Sequence, residues 1–286
     1  MSIFAKLTSL LGRDSGQGIL GQLRIEPQPL AEGPMSVVYR GTLPDGRPVA
    51  VKVLRNSAAR VAHRLSTELG KQWEGERAVG LEHPNVIRSL ECGCEEGTYY
   101  VVMECIDGAN LAALIHENSP LLKGRRLALI RQVAQGLAYT HRTGLIHRDV
   151  CPKNVLVDRA GRAKLIDFGV AVSQTDVIAN TGRRTGRPSY MAPELITGNI
   201  FDVCTDIYAL GVTMFEICTG GKPLAGSDRY ETMRLHLHSP PTPACEVDSR
   251  VPPALSSAIT RCLEKEAARR PQKVEDLLCE LPDDEF

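Results

Sequence analysis

The 286-residue chain has no net charge, with 34 Lys+Arg against 34 Asp+Glu. That balance removes the electrostatic footprint that would point to a nucleic-acid partner. No apolar run reaches the length a membrane-spanning helix needs. A secretory leader is missing, and the nine cysteines (92, 94, 105, 151, 204, 218, 245, 262 and 279) are odd in number. Both features point to free thiols in a reducing, cytoplasmic setting. Cys92-Gly93-Cys94 lacks a second ligand pair at metal-binding spacing and reads as strand. Repeats and long low-complexity stretches are absent too. What is present, 43% hydrophobic and 24% charged residues, is the composition of a globular protein with one large or two small domains.

Strand signals come first. Residues 22–30, 37–41 and 48–54 are short strand candidates, and Leu43-Pro44-Asp45-Gly46 joins the last two as a hairpin. A helix is expected over 61–81, then strands over 86–92 and 98–103. Ahead of them, Ile3, Phe4, Leu7, Leu10 and Leu11 recur at helical spacing. This makes 1–21 an extension with a short amphipathic packing helix and a Gly/Ser linker. From residue 111 the period changes: Leu127, Ile130, Val133, Leu137 and Ala138 form one apolar helical stripe. Further helices are expected over 206–219, 230–237, 255–263 and 274–281, the first stopped by Gly220-Gly221. The pattern predicts an α+β chain. A five-stranded antiparallel lobe with one main helix (22–103) is followed by a connector (104–110), a mostly helical lobe (111–280) and a tail (281–286).

The chemistry concentrates in two strings, His147-Arg148-Asp149-Val150-Cys151-Pro152-Lys153-Asn154 and Asp167-Phe168-Gly169. Asp149 is a candidate proton acceptor, and Asn154 and Asp167 offer the oxygen ligands a hard cation prefers. In Val49-Ala50-Val51-Lys52 strand alternation points Ala50 and Lys52 to one face. Lys52 needs a carboxylate to hold it. Glu74 and Glu76 face different directions on a helix, and Glu74 shares its face with Ala78 and Leu81. Leu30 to Val38, with Gly33 inside, forms a turn whose backbone amides can approach phosphate oxygens. Ala192-Pro193-Glu194 and the late Arg270-Pro271 complete the set.

In this order and spacing the motifs resemble those of eukaryotic-like serine/threonine protein kinases over roughly residues 22–280. The Val-Cys-Pro-Lys loop favours the bacterial type. The resemblance implies the bilobal protein-kinase fold. It also implies ATP-dependent transfer of the γ-phosphate to Ser/Thr hydroxyls of a protein substrate, including autophosphorylation through self-association. ATP and Mg²⁺, with Mn²⁺ as a substitute, would be the cofactors. By resemblance Asp149 is the catalytic base beside Arg148, Lys52 pairs with Glu74, and Asn154 and Asp167 hold the metal. Leu30, Gly33, Ser36, Val38, Ala50, Lys52, Met103, Glu104, Ile106 and Leu156 would surround the nucleotide. Glu194 would pair with Arg270, and Asp206 would accept amides of the catalytic loop. Arg148 would meet a phosphate on Thr185 or Thr181.

Two departures stand out. Cys151 occupies the position of the lysine two residues after the catalytic aspartate, and Arg187 replaces the threonine of Gly-Thr-Pro-x-Tyr. In the family that Lys and Thr brace the aspartate together. Lys153 and Arg187 are the candidates to restore the charge. The departures keep open a pseudokinase scaffold that binds nucleotide without transferring phosphate. A small-molecule phosphotransferase is a third reading.

Overall fold

Every second side chain of Pro48–Leu54 is apolar and β-branched, so a strand there has one face that must be covered. Val49, Val51 and Val53 are at most 1% exposed. They pack with Leu23, Val37, Tyr39, Tyr100 and Val102, and with Leu7 and Leu20 of the N-terminal extension. Phe4 lies tilted against Tyr39, with ring centroids 5.5 Å apart. The Glu91 carboxylate then ties the extension down. It accepts the Ile19 amide at 2.6 Å, the Leu20 amide at 3.3 Å and the Tyr100 hydroxyl at 3.2 Å.

The computed structural model describes residues 3, 4, 7, 18–68, 72–177 and 186–286. It divides into two units, Met1–His83 with Ile87–Ile106, and Pro84–Val86 with Asp107–Phe286. No helix among the described residues is long and apolar enough to cross a membrane.

The first unit is built on a five-stranded antiparallel sheet. Its strands are β1 (Arg24–Glu32), β2 (Ser36–Thr42), β3 (Pro48–Leu54), β4 (Ser89–Glu95) and β5 (Thr98–Glu104), in the order β1-β2-β3-β5-β4. Its second face carries α1 (Asn56–His63), where Ala58 and Ala62 pack with Leu54, Trp73, Tyr99 and Val101. The helix expected over 61–81 is corrected here. It starts earlier, passes into a π-turn at Arg64–Glu68, and a separate short helix α2 (Glu74–Ala78) follows. The break has a local cause. The Glu76 carboxylate accepts the Trp73 amide at 3.1 Å, which caps a new helix start. A Cβ on Gly75 would lie 2.4 Å from the Trp73 ring and 2.7 Å from Cys92, so only glycine lets this turn sit against β4. Beyond it Val79 bridges to Ser89 in strand fashion, which leaves Leu81 outside the helix.

The second unit holds a small sheet of β6 (Gly108–Asn110), β8 (Val155–Asp158) and β9 (Ala163–Leu165), and a pair of β7 (Leu145–Ile146) with β10 (Val172–Ser173). Around them lie α3 (Leu111–His116), α4 (Arg126–Arg142), α5 (Pro193–Thr197), α6 (Cys204–Thr219), α7 (Arg229–His238), α8 (Ala244–Val247), α9 (Pro253–Cys262) and α10 (Val274–Glu280). The stripe Leu127, Ile130, Val133, Leu137 and Ala138 is buried in one core with α6, α9 and α10. At Gly220, φ is +76°, the left-handed stop that ends α6.

No residue beside the start of α4 caps it. Glu285 does so from the far end of the sequence, accepting the Leu127 amide at 2.9 Å and the Ala128 amide at 2.6 Å. A carboxylate on two open N–H groups at a helix N-terminus stabilises by roughly 0.5–2 kcal/mol. Glu285→Ala should therefore lower unfolding free energy by about 1 kcal/mol in urea titration, with the m-value unchanged. An unchanged midpoint would show that water caps the helix as well.

Candidate active site

In β3, Lys52 stands directly opposite Val38 of β2 and Val101 of β5, and Ala50 opposite Met103. Directly opposed residues share a face, so Val38, Ala50, Lys52 and Met103 line one side of the sheet. Lys52 is buried and its ammonium donates to the Glu74 carboxylate. Glu76 is committed to capping Trp73, which settles which of the two glutamates meets the lysine. Leu30 lies in β1 and is exposed, and Ser36 opens β2. Between the strands the Gly33 amide donates to the Ser36 carbonyl at 2.9 Å, closing a tight turn. Arg55 clamps that turn, its side chain donating to the Gly33 carbonyl at 2.8 Å and to Glu32 at 2.9 Å. At the end of β5 the Glu104 amide donates to the Arg88 carbonyl at 3.0 Å, so what Glu104 can offer a base is its own carbonyl. Ile106 follows two residues later, at the end of this unit.

In the second unit a single carboxylate orients the 147–149 loop. Asp206, fully buried near the start of α6, accepts the His147 and Arg148 amides, both at 2.7 Å, and His141 Nε2 at 2.9 Å. Burial pushes its carboxyl up, but the hydrogen bonds and charge of His141 and His147 hold it below the usual carboxylate range. The His147 ring donates from Nε2 to the Ile166 carbonyl (3.2 Å), accepts the Asp149 amide at Nδ1 (3.3 Å), and packs on Phe168. Two non-glycine residues here adopt left-handed backbone, Arg148 at φ +63° and Asp167 at φ +68°. Such conformations cost of order 1–3 kcal/mol each and persist where the surroundings over-determine them. The Arg148 side chain donates to the Val170 carbonyl at 2.7 Å and lies over the Phe201 ring.

Asn154 uses its side-chain NH₂ twice, on the Asp149 carbonyl (2.9 Å) and on Asp149 Oδ2 (2.8 Å). Arg187 Nη1 donates to the same Oδ2 at 2.5 Å and to Cys151 Sγ at 3.0 Å. Asp149 Oδ1 is buried and has no hydrogen-bond partner among the described residues. One oxygen is thus held by two donors and the other is left to receive a donor. Burial raises the Asp149 carboxyl above its ordinary value, with Arg187, Asn154 and His147 opposing. Burial also pushes the Cys151 thiol up to about 12, which removes an oxidation-prone thiolate there. Of the two cations considered for the missing lysine, Arg187 makes the contact, whereas Lys153 is exposed and its charge acts on Glu216.

The donor set fits a cation. With its NH₂ turned to Asp149, Asn154 has the amide oxygen left to offer, and Asp167 supplies a carboxylate whose Oδ1 also accepts the Gly169 amide at 3.2 Å. Two protein oxygens suit Mg²⁺, which keeps waters and takes phosphate oxygens for the rest. Cys92 and Cys94 lie in β4. Leu156 lies in β8 opposite Asn110 and Lys164.

Glu194 and Arg270 meet as a bidentate pair at 2.7 and 3.0 Å, with Thr205 donating to Glu194 at 2.8 Å. Thr181, Arg183, Arg184 and Thr185 lie outside the described residues. Ser173 is engaged locally, its hydroxyl 2.8 Å from that of Thr175. Sequence reasoning missed Arg55 and Glu285, which carry no motif.

Comparison with known proteins agrees with this geometry. The family described as the protein kinase domain matches residues 26–280. The serine/threonine-protein kinase PknD of Mycobacterium tuberculosis is 34% identical over 250 residues, 87% of this chain and 37% of that protein. PrkC of Bacillus subtilis is 31% identical over 234 residues, 81% of this chain and 35% of its own length. The kinase pkn3 of Myxococcus xanthus is 33% identical over 282 residues, 93% of this chain and 50% of that protein. The chain therefore spans between about a third and a half of the length of these bacterial relatives.

Proposed function

The chain belongs to the protein kinase family, and from that premise we propose that it transfers the γ-phosphoryl group of ATP to Ser/Thr hydroxyls of protein substrates, copies of itself included. The observation that carries this reading is the asymmetric Asp149 carboxylate, with Oδ2 held by Asn154 and Arg187 and Oδ1 buried and open. Oδ1 orients the acceptor hydroxyl. The hydroxyl oxygen bonds to the γ-phosphorus as the bond from phosphorus to the β,γ-bridging oxygen breaks. ADP leaves with that electron pair and the hydroxyl proton passes to Asp149.

Lys52, steadied by Glu74, meets the α- and β-phosphates, and the backbone of Gly33 and Ser36 lies against phosphate oxygens. Leu30, Val38, Ala50 and Met103 take the base and sugar, with the Glu104 carbonyl and the Ile106 backbone bonding the base edge. Asn154 and Asp167 would hold Mg²⁺, or Mn²⁺ in its place, which supplies positive charge to the phosphate oxygens. In this reading 22–103 handles the nucleotide and 111–280 the acceptor, in the cytoplasm. The nine free cysteines support that reducing setting.

The contact of Arg187 with Asp149 also favours a second reading, a nucleotide-binding scaffold whose base is quenched. Incubation with Mg²⁺-ATP and an acceptor protein, followed by phosphoamino-acid analysis, separates the two. Phosphoserine and phosphothreonine are expected, and almost none with Asp167→Asn. Thermal stabilisation by nucleotide without labelling would give the scaffold reading instead.

A further inference from the structure

Resting on the kinase reading, we propose that Arg187 is a catalytic residue, supplying from the stretch before Ala192-Pro193-Glu194 the cation that binds the transferring phosphoryl group. The need for one follows from charge. Asp149 and Asp167 place two carboxylates in the second unit, and transfer adds phosphate oxygens to them. Position 151 carries a buried thiol and brings no charge. Among the described residues the cation that reaches both Asp149 and Cys151 is Arg187, through Nη1 alone. Nε and Nη2 remain on the other edge of the same planar guanidinium, whose side chain is 38% exposed. One nitrogen can therefore hold the base while its neighbours donate to a phosphoryl oxygen, a division of labour the rigid five-donor fork permits.

The arrangement also reads as an exchange. Where the resembled family has a lysine and a threonine, this chain has Cys151 and Arg187, and the two are in contact at 3.0 Å. Arg187 lies 38 residues from Asp149 in sequence, so the activity depends on where the stretch leading into Ala192-Pro193-Glu194 sits. In quenching Asp149, by contrast, Arg187 would inhibit, and its removal would raise the rate.

The test is a set of variants of the full chain assayed for kcat and KM: Arg187→Thr, Arg187→Gln, Cys151→Lys, and Cys151→Lys with Arg187→Thr. Loss of a preorganised donor to developing charge costs about 10²-fold or more in kcat. That loss is expected for Arg187→Thr and for Arg187→Gln, which keeps a hydrogen bond to Asp149 but no charge. KM for ATP should stay within about twofold, since ground-state binding does not use this cation. The double variant should recover at least about a tenth of the original kcat. A lysine at 151 restores charge but cannot tie position 187 to the loop, so a merely structural Arg187 would not be rescued. Unchanged or raised kcat in Arg187→Gln, or a folded, nucleotide-binding double variant as slow as Arg187→Thr, overturns the proposal. Absence of transfer by the unmodified protein instead removes the kinase reading and this inference together.

Discussion

Asp149→Asn should lower kcat by about 10²–10⁴-fold, the range for losing a positioned general base. Nucleotide affinity should be little changed. The geometry explains the size. Oδ2 already accepts from Asn154 at 2.8 Å and Arg187 at 2.5 Å, so the carboxylate cannot rotate to present it, and Oδ1 is the oxygen left for an acceptor hydroxyl. An amide in its place either turns its NH₂ toward two donors or points it at the hydroxyl, and neither accepts a proton. Residual activity reports the positioning and charge that Lys52, Asn154, Asp167 and Arg187 still provide. Steady-state assays with a saturating acceptor measure the loss, and calorimetric titration with nucleotide checks that binding survives. A drop confined to KM would place Asp149 in acceptor binding alone.

Arg270→Leu should destabilise the second unit by about 3–5 kcal/mol, the cost of stranding one partner of a buried ion pair. The guanidinium is completely buried and spends all five N–H groups. Nε donates to the Glu264 carbonyl, Nη1 to Glu194 and the Cys204 carbonyl, and Nη2 to Glu194 and the Lys265 carbonyl. Its plane also lies over Tyr208, 4.9 Å from the ring centre. Arg270→Lys should recover little, because three donors on a flexible stem cannot reproduce this fork. Changing Glu194 to Leu as well should be less harmful than Arg270→Leu alone, since no charge is then left unpaired. Urea unfolding of the three proteins tests the order. Equal stability of the single and double variants would mean that the three carbonyls, not Glu194, dominate the site.

The pair bears on function through position. Glu194 lies in the first turn of α5, seven residues after Arg187, so anchoring one end of this stretch limits where the guanidinium can lie. Asp206 does the same for the other side, holding the His147 and Arg148 amides while Arg148 sits in left-handed backbone.

Local periodicity was legible wherever a segment met its packing surface with a simple alternation. Val49, Val51 and Val53 against Ala50 and Lys52 marked β3 and its two faces. The 127–138 stripe marked α4 because one apolar face runs unbroken into the core. The helix around Glu74 was not legible in its bounds. A tryptophan, a glycine and a back-capping glutamate decide it through contact with β4, and such contact leaves no period. Glu285 on α4 and Arg55 on the Gly33 turn were invisible for a related reason: each acts on backbone, which every residue offers alike. The candidate site residues were legible as an ordered set of motifs. The exchange between 151 and 187 showed in the sequence only as two departures, and it took the distances to make them one feature.

The central claim is that an acceptor hydroxyl oriented by Asp149 receives the phosphoryl group directly. Its most direct measurement follows ADP release and acceptor phosphorylation together, in the unmodified protein and in Asp149→Asn, with nucleotide saturating. Equal amounts of ADP and phosphorylated Ser/Thr in the unmodified protein, falling in step by at least about a hundredfold in the variant, are predicted. ADP formed without phosphorylated acceptor, or equal transfer by both proteins, would contradict it.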